Sequence, residues 1–146
     1  MAPNPKHINL LKLCVGAEDV QDLIDWQDRR RAETPGWQCC HVTRMWPKRE
    51  AEVLAGGSLY WVFKGQVLAR QRIVGLEERR GADGILRCAI LLDPEVIRTE
   101  PQPRRAFQGW RYLDPAEAPR DLRLSRVEGD ALPPALAAAL AEIGVR

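Results

Sequence analysis

Histidine is scarce in this sequence, and its serine and glycine residues lie outside the motifs of common catalytic sites. The 146 residues include only His7 and His41, and neither has a spacing typical of a histidine-dependent hydrolase. Ser58 lacks the G-x-S-x-G context of a nucleophile elbow. The glycines at 56–57 precede a predicted strand, whereas the glycine-rich loops that bind phosphates open a helix. These absences argue against a serine hydrolase and against a P-loop protein.

Long apolar segments are also missing. No run approaches the roughly 18 apolar residues of a membrane-spanning helix, and the first seven residues lack the apolar core of a signal peptide. We therefore expect a cytoplasmic protein with no membrane partner. Hydrophobic residues make up 45% of the chain and charged residues 29%, which is typical of one globular domain, here spanning 1–146.

The cysteines do not form a metal-binding or disulfide pattern. Cys14, Cys39, Cys40 and Cys88 include no C-x-x-C pair, and Cys39-Cys40-His41 is too contiguous for a zinc knuckle. We predict buried, reduced thiols. No metal and no cofactor is expected.

The charge is distributed unevenly along the chain. The net charge is +2, yet residues 37–112 carry 13 Lys/Arg and 8 Asp/Glu. Of the 22 basic residues 18 are arginine, a side chain suited to binding phosphate or carboxylate, although a biased codon supply gives the same enrichment. A basic middle region favours an anionic partner.

The hydrophobic pattern begins with a strand and a helix. Residues 7–13 predict a strand with Ile8, Leu10 and Lys12 on one face. Residues 18–31 predict a helix whose buried face comprises Val20, Leu23, Ile24 and Gln27. Its acidic start and its last three residues, Arg29, Arg30 and Arg31, complement the helix dipole, which explains the arginines without a ligand. A second strand over 37–45 and a short helix over 48–55 follow.

The segment 57–78 has the pattern of a β-hairpin that forms the centre of the core. Leu59, Trp61 and Phe63 alternate with Tyr60 and Val62. Lysine is a poor first residue for a two-residue turn, so Lys64-Gly65 predicts a three-residue turn with Gly65 in the left-handed conformation.

The remaining pattern completes an α+β fold. We predict a strand over 85–92, a short strand over 95–100, an extended turn at 101–103 and an N-cap at Asp114. We also predict an edge strand over 121–127 and, after it, a helix over 134–143 that buries Leu136, Leu140 and Ile143. The predicted fold class is α+β, with a small, mostly antiparallel β-barrel or strongly curved sheet and flanking helices.

Two segments interleave basic and aromatic residues. They are 43–49 (TRMWPKR) and 104–112 (RRAFQGWRY). Guanidinium groups bind phosphates, and flat rings stack on bases. The alternative interpretation, weighed evenly, is that the aromatics are core and the arginines border it. The candidate ligand-binding residues are Arg44, Trp46, Lys48, Arg49, Arg70, Gln71, Arg105, Gln108, Trp110, Arg111 and Tyr112.

Longer motifs point to a family. Segments 7–16 (HINLLKLCVG), 43–49, 56–65 (GGSLYWVFKG), 69–73 (ARQRI) and 107–113 (FQGWRYL) resemble a family of short alphaproteobacterial proteins, a domain of unknown function. The resemblance covers nearly the whole chain and implies no reaction.

A looser similarity is to the PUA-like group, including ASCH-type domains. It rests on the order helix, strand, short basic helix and strand-Lys-Gly-strand. That group implies a small barrel that binds RNA or modified nucleosides, with a few enzymes among its members. It also implies that Arg44, Lys48 and Arg49 lie near a cleft, with Arg70 and Gln71 on the hairpin.

Three functional hypotheses follow. The first is an RNA- or nucleotide-binding domain with a basic, aromatic-lined cleft. The second is a small enzyme, a hydrolase or amidohydrolase acting on a modified nucleoside, with Lys48 or Cys39 as nucleophile or base. The third is a protein-interaction module with exposed aromatic residues.

Overall fold

The computed structural model describes residues 7–105 and 107–122. Seven strands form one sheet: β1 (Asn9–Leu13), β2 (Cys40–Thr43), β3 (Ser58–Phe63), β4 (Gln66–Arg80), β5 (Leu86–Leu92), β6 (Ile97–Pro103) and β7 (Trp110–Leu113). The helices are α1 (Val20–Glu33) and α2 (Glu50–Leu54), and a 3-10 turn spans Pro115–Glu117. The predicted helix over 134–143 lies outside the described residues. So does most of the predicted edge strand over 121–127, of which Asp121 forms an isolated bridge to Thr99. No helix among the described residues is long and apolar enough to cross a membrane.

The fold is α+β, as predicted, and its sheet is mostly antiparallel. Its strand order is β2-β5-β4-β3-β1-β7, with β6 paired to β4. β1 and β3 are parallel, and the other described pairings are antiparallel. β4 is long because its first half pairs with both β3 and β6, while its second half pairs with β5.

The central hairpin is confirmed, but its turn differs from the prediction. Phe63 pairs directly with Gln66, so only Lys64 and Gly65 form the turn. Both have positive φ, +49° and +82°. The twist of the flanking strands favours a two-residue turn with this geometry, and that preference overrides the cost of about 1 kcal/mol for a left-handed lysine. The left-handed Gly65 was predicted.

The segment 95–103 also differs from the prediction. The expected extended turn at 101–103 is instead the end of β6, which contains Pro101 and Pro103. The register shifts so that residues 99–101 oppose Leu68 alone, between the Val67–Gln102 and Ala69–Arg98 pairs. A bulge of this kind accommodates a proline, because the bulged residues need not donate to the ladder.

The two faces of the hairpin are buried in two separate clusters. Leu59, Trp61 and Phe63 belong to an inner cluster under α1, as the alternation predicts. Tyr60 and Val62 belong to a smaller outer cluster. β3 is therefore covered on both faces and forms the centre of the core.

The sheet curves strongly without closing. β2 and β7 end the strand order, five spacings apart, which is about 24 Å in a flat sheet. Yet Trp110 on β7 donates its indole N–H to the carbonyl of Met45, two residues past β2, at 2.8 Å. Tyr112 Oη likewise accepts the Arg49 N–H at 3.1 Å. Side-chain hydrogen bonds therefore join the edges where a barrel would have a backbone ladder, and the barrel alternative of the prediction is wrong.

Candidate functional site

A groove of about 740 Å³ opens between α1 and one end of the curved sheet. We call it the α1 groove. It is bounded by the 13–17 loop, by one side of α1, and by Cys40, His41 and Trp61. Concave sites of this size, with apolar walls and a few polar groups, are typical of small-ligand binding.

The sequence of α1 sets one wall of the groove. Asp19 caps the helix by accepting the Asp22 N–H at 2.9 Å, and Asp22 in turn accepts the Glu18 N–H. Asp22, Asp25, Trp26 and Arg29 then follow the i, i+3, i+4, i+7 spacing and line the groove. One helical face therefore carries two carboxylates, an indole and a guanidinium.

A buried amide network holds α1 against the sheet. Gln27 on α1 and Gln71 on β4 exchange two hydrogen bonds, of 2.9 and 3.0 Å. Gln71 Oε1 also accepts the indole N–H of Trp61 at 3.0 Å. Since that indole N–H already has a partner, Trp61 offers the groove a ring whose polar atom is satisfied.

Trp26 forms the outer edge of the groove, and two neighbouring side chains hold its ring in place. Trp26, 45% exposed, meets Trp37 edge to face at 5.9 Å. The Arg30 guanidinium lies 5.8 Å from both ring centroids. These contacts fix the Trp26 ring at the mouth of the groove. They also give Arg30 a structural role beyond the predicted interaction with the helix dipole.

His41 brings a buried polar atom without a partner to the groove. Its ring meets Trp61 edge to face at 5.4 Å, and its Nε2 is buried without a hydrogen-bond partner among the described residues. Burial, followed by the charge of Lys12, lowers the pKa of His41 to about 4. At neutral pH the imidazole is therefore uncharged.

Two thiols near the groove, those of Cys14 and Cys39, are not activated. Burial raises the pKa of Cys14 to about 11, and burial also raises the pKa of Cys39, which is 3% exposed. A thiolate is the reactive form of cysteine, so both stay unreactive at neutral pH. The hypothesis of Cys39 as a nucleophile does not fit this environment. The four cysteines are free, as predicted, but only Cys39 and Cys88 are buried, with Cys14 and Cys40 half-buried.

The first predicted basic segment is mostly exposed. Arg44, Trp46 and Lys48 lie on the surface, and the Trp46 indole N–H donates to Glu50. Arg49 forms a bidentate pair with Glu52, which raises the pKa of Arg49.

Part of the second segment meets the first. The Arg49 guanidinium lies 5.4 Å from the Tyr112 ring centroid, and Tyr112 packs edge to face on Trp110. Trp110 is only 5% exposed. The two segments thus come together through Arg49, Tyr112 and Trp110, with Trp110 serving as core.

The other candidates lie apart from this contact. Gln71 is fully buried and engaged by protein groups, including the Asp93 carbonyl, so it belongs to the core. Arg70 lies on the opposite face of the sheet, where Asp121 and Ser58 accept its hydrogen bonds. Arg105 and Gln108 are exposed, and the Arg111 guanidinium lies 5.3 Å from the Phe107 ring.

Comparison with known proteins places the chain in a family. A family model described as a protein of unknown function, DUF1489, matches residues 10–146. The chain belongs to this family. No curated protein and no solved structure gives a match to this DUF1489 chain.

Sequence reasoning missed the α1 groove. In this DUF1489 chain, Trp61 is buried in the core as predicted, at 5% exposure, but the alternating pattern around it did not indicate that it borders a groove together with His41, Asp22 and Asp25. The spacing of the acidic residues with Trp26 was the available signal, because it places them on one helical face. Among the described residues, no group of three or more His, Cys, Asp or Glu side chains is arranged to hold a metal ion.

Proposed function

We propose that this protein binds a flat, nitrogen-rich aromatic molecule of the nucleobase or nucleoside type in the α1 groove. The observation that carries the proposal is the meeting of Trp26, Trp61 and His41 in one concave site with the carboxylates of Asp22 and Asp25. The PUA-like pattern of the sequence favours the same ligand class, although the predicted residues lie elsewhere.

Trp26, 45% exposed, supplies the stacking surface for a flat ring, while Trp61, 5% exposed, lines the groove. Base–aromatic stacking contributes roughly 1–3 kcal/mol per base and accepts any base, because every base has a π-face. Trp26 is held in place by Trp37 and Arg30. Little side-chain freedom is therefore lost on binding.

The polar groups supply orientation. The carboxylates of Asp22 and Asp25 accept hydrogen bonds from amino and ring N–H groups. Neutral His41 has a ring nitrogen to pair with a further polar group of the ligand.

Binding fits this site better than catalysis. Cys14 and His41 have pKa values shifted toward their uncharged forms, to about 11 and about 4. A nucleophile or base acting near pH 7 needs shifts in the opposite direction.

The test is a titration of the protein with each of the four common nucleosides, monitored through the indole N–H resonances in NMR spectra. We expect the Trp26 and Trp61 signals to move together. Trp26→Ala should weaken binding about tenfold, while Trp46→Ala, which removes an exposed indole outside the groove, should leave it unchanged. Asp25→Asn should likewise weaken nucleoside binding, while Asp28→Asn, a substitution outside the groove, should leave it unchanged. The proposal is wrong if no nucleoside moves the two indole signals, or if both tryptophan variants bind equally.

A second candidate function is single-stranded RNA binding by the exposed basic surface of Arg44, Trp46 and Lys48. The observation in its favour is that Arg49 and Tyr112 bring the second aromatic segment beside the first. Oligouridine affinity should then fall steeply with salt, and Arg44→Ala and Lys48→Ala should each reduce the logarithmic slope by about 0.7. The control is Arg80→Ala, at the end of β4 where the chain turns into β5. A slope unchanged by all three substitutions would exclude this surface.

A further inference from the structure

Lys12 is a half-buried lysine on the inner face of the sheet. It pairs across strands with Trp61 on β3 and with Trp110 on β7, so an indole flanks it on each side. Directly opposed residues on neighbouring strands point to the same face. Lys12 therefore lies on the same face as Trp61, which lines the α1 groove, and its charge acts on His41 and Cys14, which also line it, although Lys12 itself is not part of the lining.

No carboxylate of the described residues forms an ion pair with Lys12. The ion pairs in this part of the chain involve other side chains. A lysine withdrawn from water without a counter-charge is unfavourable unless something else supplies that charge.

His41 faces the same space. Its ring contacts Trp61, the cross-strand neighbour of Lys12, and its buried Nε2 has no partner among the described residues. Buried polar atoms of native proteins are nearly always hydrogen-bonded, so an orphaned one indicates a missing water, ion or ligand group. Two residues able to donate to an anion, Lys12 and His41, are thus both neighbours of Trp61.

We propose that Lys12 and His41 together hold an anionic group, a phosphate or a carboxylate, of the molecule bound in the α1 groove. This inference rests on the proposed function and names the ligand class more closely. The ligand is an aromatic ring with an acidic substituent, such as a nucleoside monophosphate.

Charges on two sides of the groove act on such a ligand. On the helix wall, Asp22 and Asp25 accept hydrogen bonds from amino groups, while the exposed guanidinium of Arg29 attracts an anion. Lys12 attracts the anion towards Trp61 and His41, in a partly dry space where the attraction is stronger than in water.

The experiment compares charged ligands with neutral matches. Adenosine monophosphate against adenosine tests phosphate, and indole-3-acetate against indole-3-acetamide tests carboxylate, all at constant ionic strength by calorimetry. In at least one pair the anion should bind about tenfold more tightly, the effect of one charge-assisted hydrogen bond.

Variants assign that preference to a residue. Lys12→Met keeps the aliphatic stem and should abolish the preference, while Lys12→Arg should keep it. The control is Lys64→Met, because Lys64 is an exposed lysine on the hairpin turn. Should Lys12→Met fail to fold, His41→Gln gives a second measurement, with an expected loss of about threefold.

The outcomes separate the two proposals. If the neutral ligands bind, but no anion binds better than its neutral match or Lys12→Met keeps the preference, the anion site is refuted and the groove remains. If no ligand of either kind moves the Trp26 and Trp61 indole signals, the groove itself is refuted, and the anion site with it.

Discussion

Gln27 of α1 and Gln71 of β4 face each other with their side-chain amides paired in both directions, at 2.9 and 3.0 Å. The two residues are 2% and 0% exposed. Gln71 also binds the Trp61 indole N–H and the Asp93 carbonyl. This pair is the polar connection between the helical wall of the α1 groove and its floor.

Breaking the amide pair from one side should cost more than removing it from both. Gln27→Leu leaves the Gln71 amide partly unsatisfied and should lower the free energy of unfolding by about 2 kcal/mol. Gln71→Leu, which also orphans the Trp61 indole N–H, should cost about 3 kcal/mol.

Urea unfolding of the wild type, both single variants and the double variant measures the coupling. The double variant should be less destabilised than the sum of the two, by at least 1 kcal/mol. Additive losses would show that the pair does not act as a unit. Gln66→Leu, at an exposed position, serves as the control.

Gly57 is fixed by backbone contact. A Cβ there would lie 2.2 Å from the Ile8 carbonyl oxygen and 2.7 Å from that of Val53. These are backbone atoms where β1, α2 and β3 converge, so they cannot move aside as a flexible side chain would. Gly57→Ala should therefore lower the free energy of unfolding by 3 kcal/mol or more, roughly the cost of severe overpacking.

A matched substitution separates crowding from backbone strain. Gly84 has φ of +79° and open space around it, so Gly84→Ala incurs only the left-handed penalty of about 1 kcal/mol. Thermal unfolding of both variants makes the comparison. Equal losses would mean that the Ile8 contact does not limit Gly57.

The alternating pattern of β3 was enough to predict the core. Each of its side chains has a partner two residues away on the same face, so burial follows from local sequence. The buried face of α1 was predicted for the same reason. The Lys64-Gly65 turn was not, because strand twist outweighed the preference of one residue.

The groove could not be predicted because it depends on curvature. His41 and Trp61 are three strands apart in the pairing order, yet their rings lie 5.4 Å apart. Strand twist and bulges accumulate into such a curve, and no short window of sequence records it. Closeness in sequence can also mislead. Arg70 and Gln71 are adjacent in sequence, but Arg70 lies on the outer face of the sheet and Gln71 in the core.

The joined edges of the sheet should open locally when one of their hydrogen bonds is removed. Tyr112→Phe deletes the hydroxyl that accepts the Arg49 N–H. We expect about tenfold faster hydrogen exchange at the Arg49 amide, with a loss of only about 1 kcal/mol in the free energy of unfolding. The amide of Val53, bonded within α2, should keep its rate. Unchanged exchange at Arg49 would contradict the role of Tyr112 in fastening the edge.

His41 should make the protein less stable as the pH falls below neutrality. Its pKa is about 4 in the folded chain, chiefly through burial and then through Lys12, against an ordinary value of 6.5. Between pH 6.5 and pH 4 the unfolded chain therefore binds a proton that the folded chain does not, and the free energy of unfolding falls by roughly 2–3 kcal/mol as the pH drops.

Carboxylates also titrate near the lower end of this window, and the Arg87 guanidinium holds the pKa of Asp83 well below its usual range. The measurement is therefore the difference between wild type and His41→Gln in urea unfolding at pH 7, 6, 5 and 4, since that difference cancels every group except His41. The free energy of unfolding of the wild type minus that of the variant should fall by roughly 2–3 kcal/mol from pH 7 to pH 4, because only the wild type has the buried imidazole. A difference that is constant with pH would mean that His41 is as easily protonated in the fold as in the unfolded chain, and that its buried Nε2 reaches water.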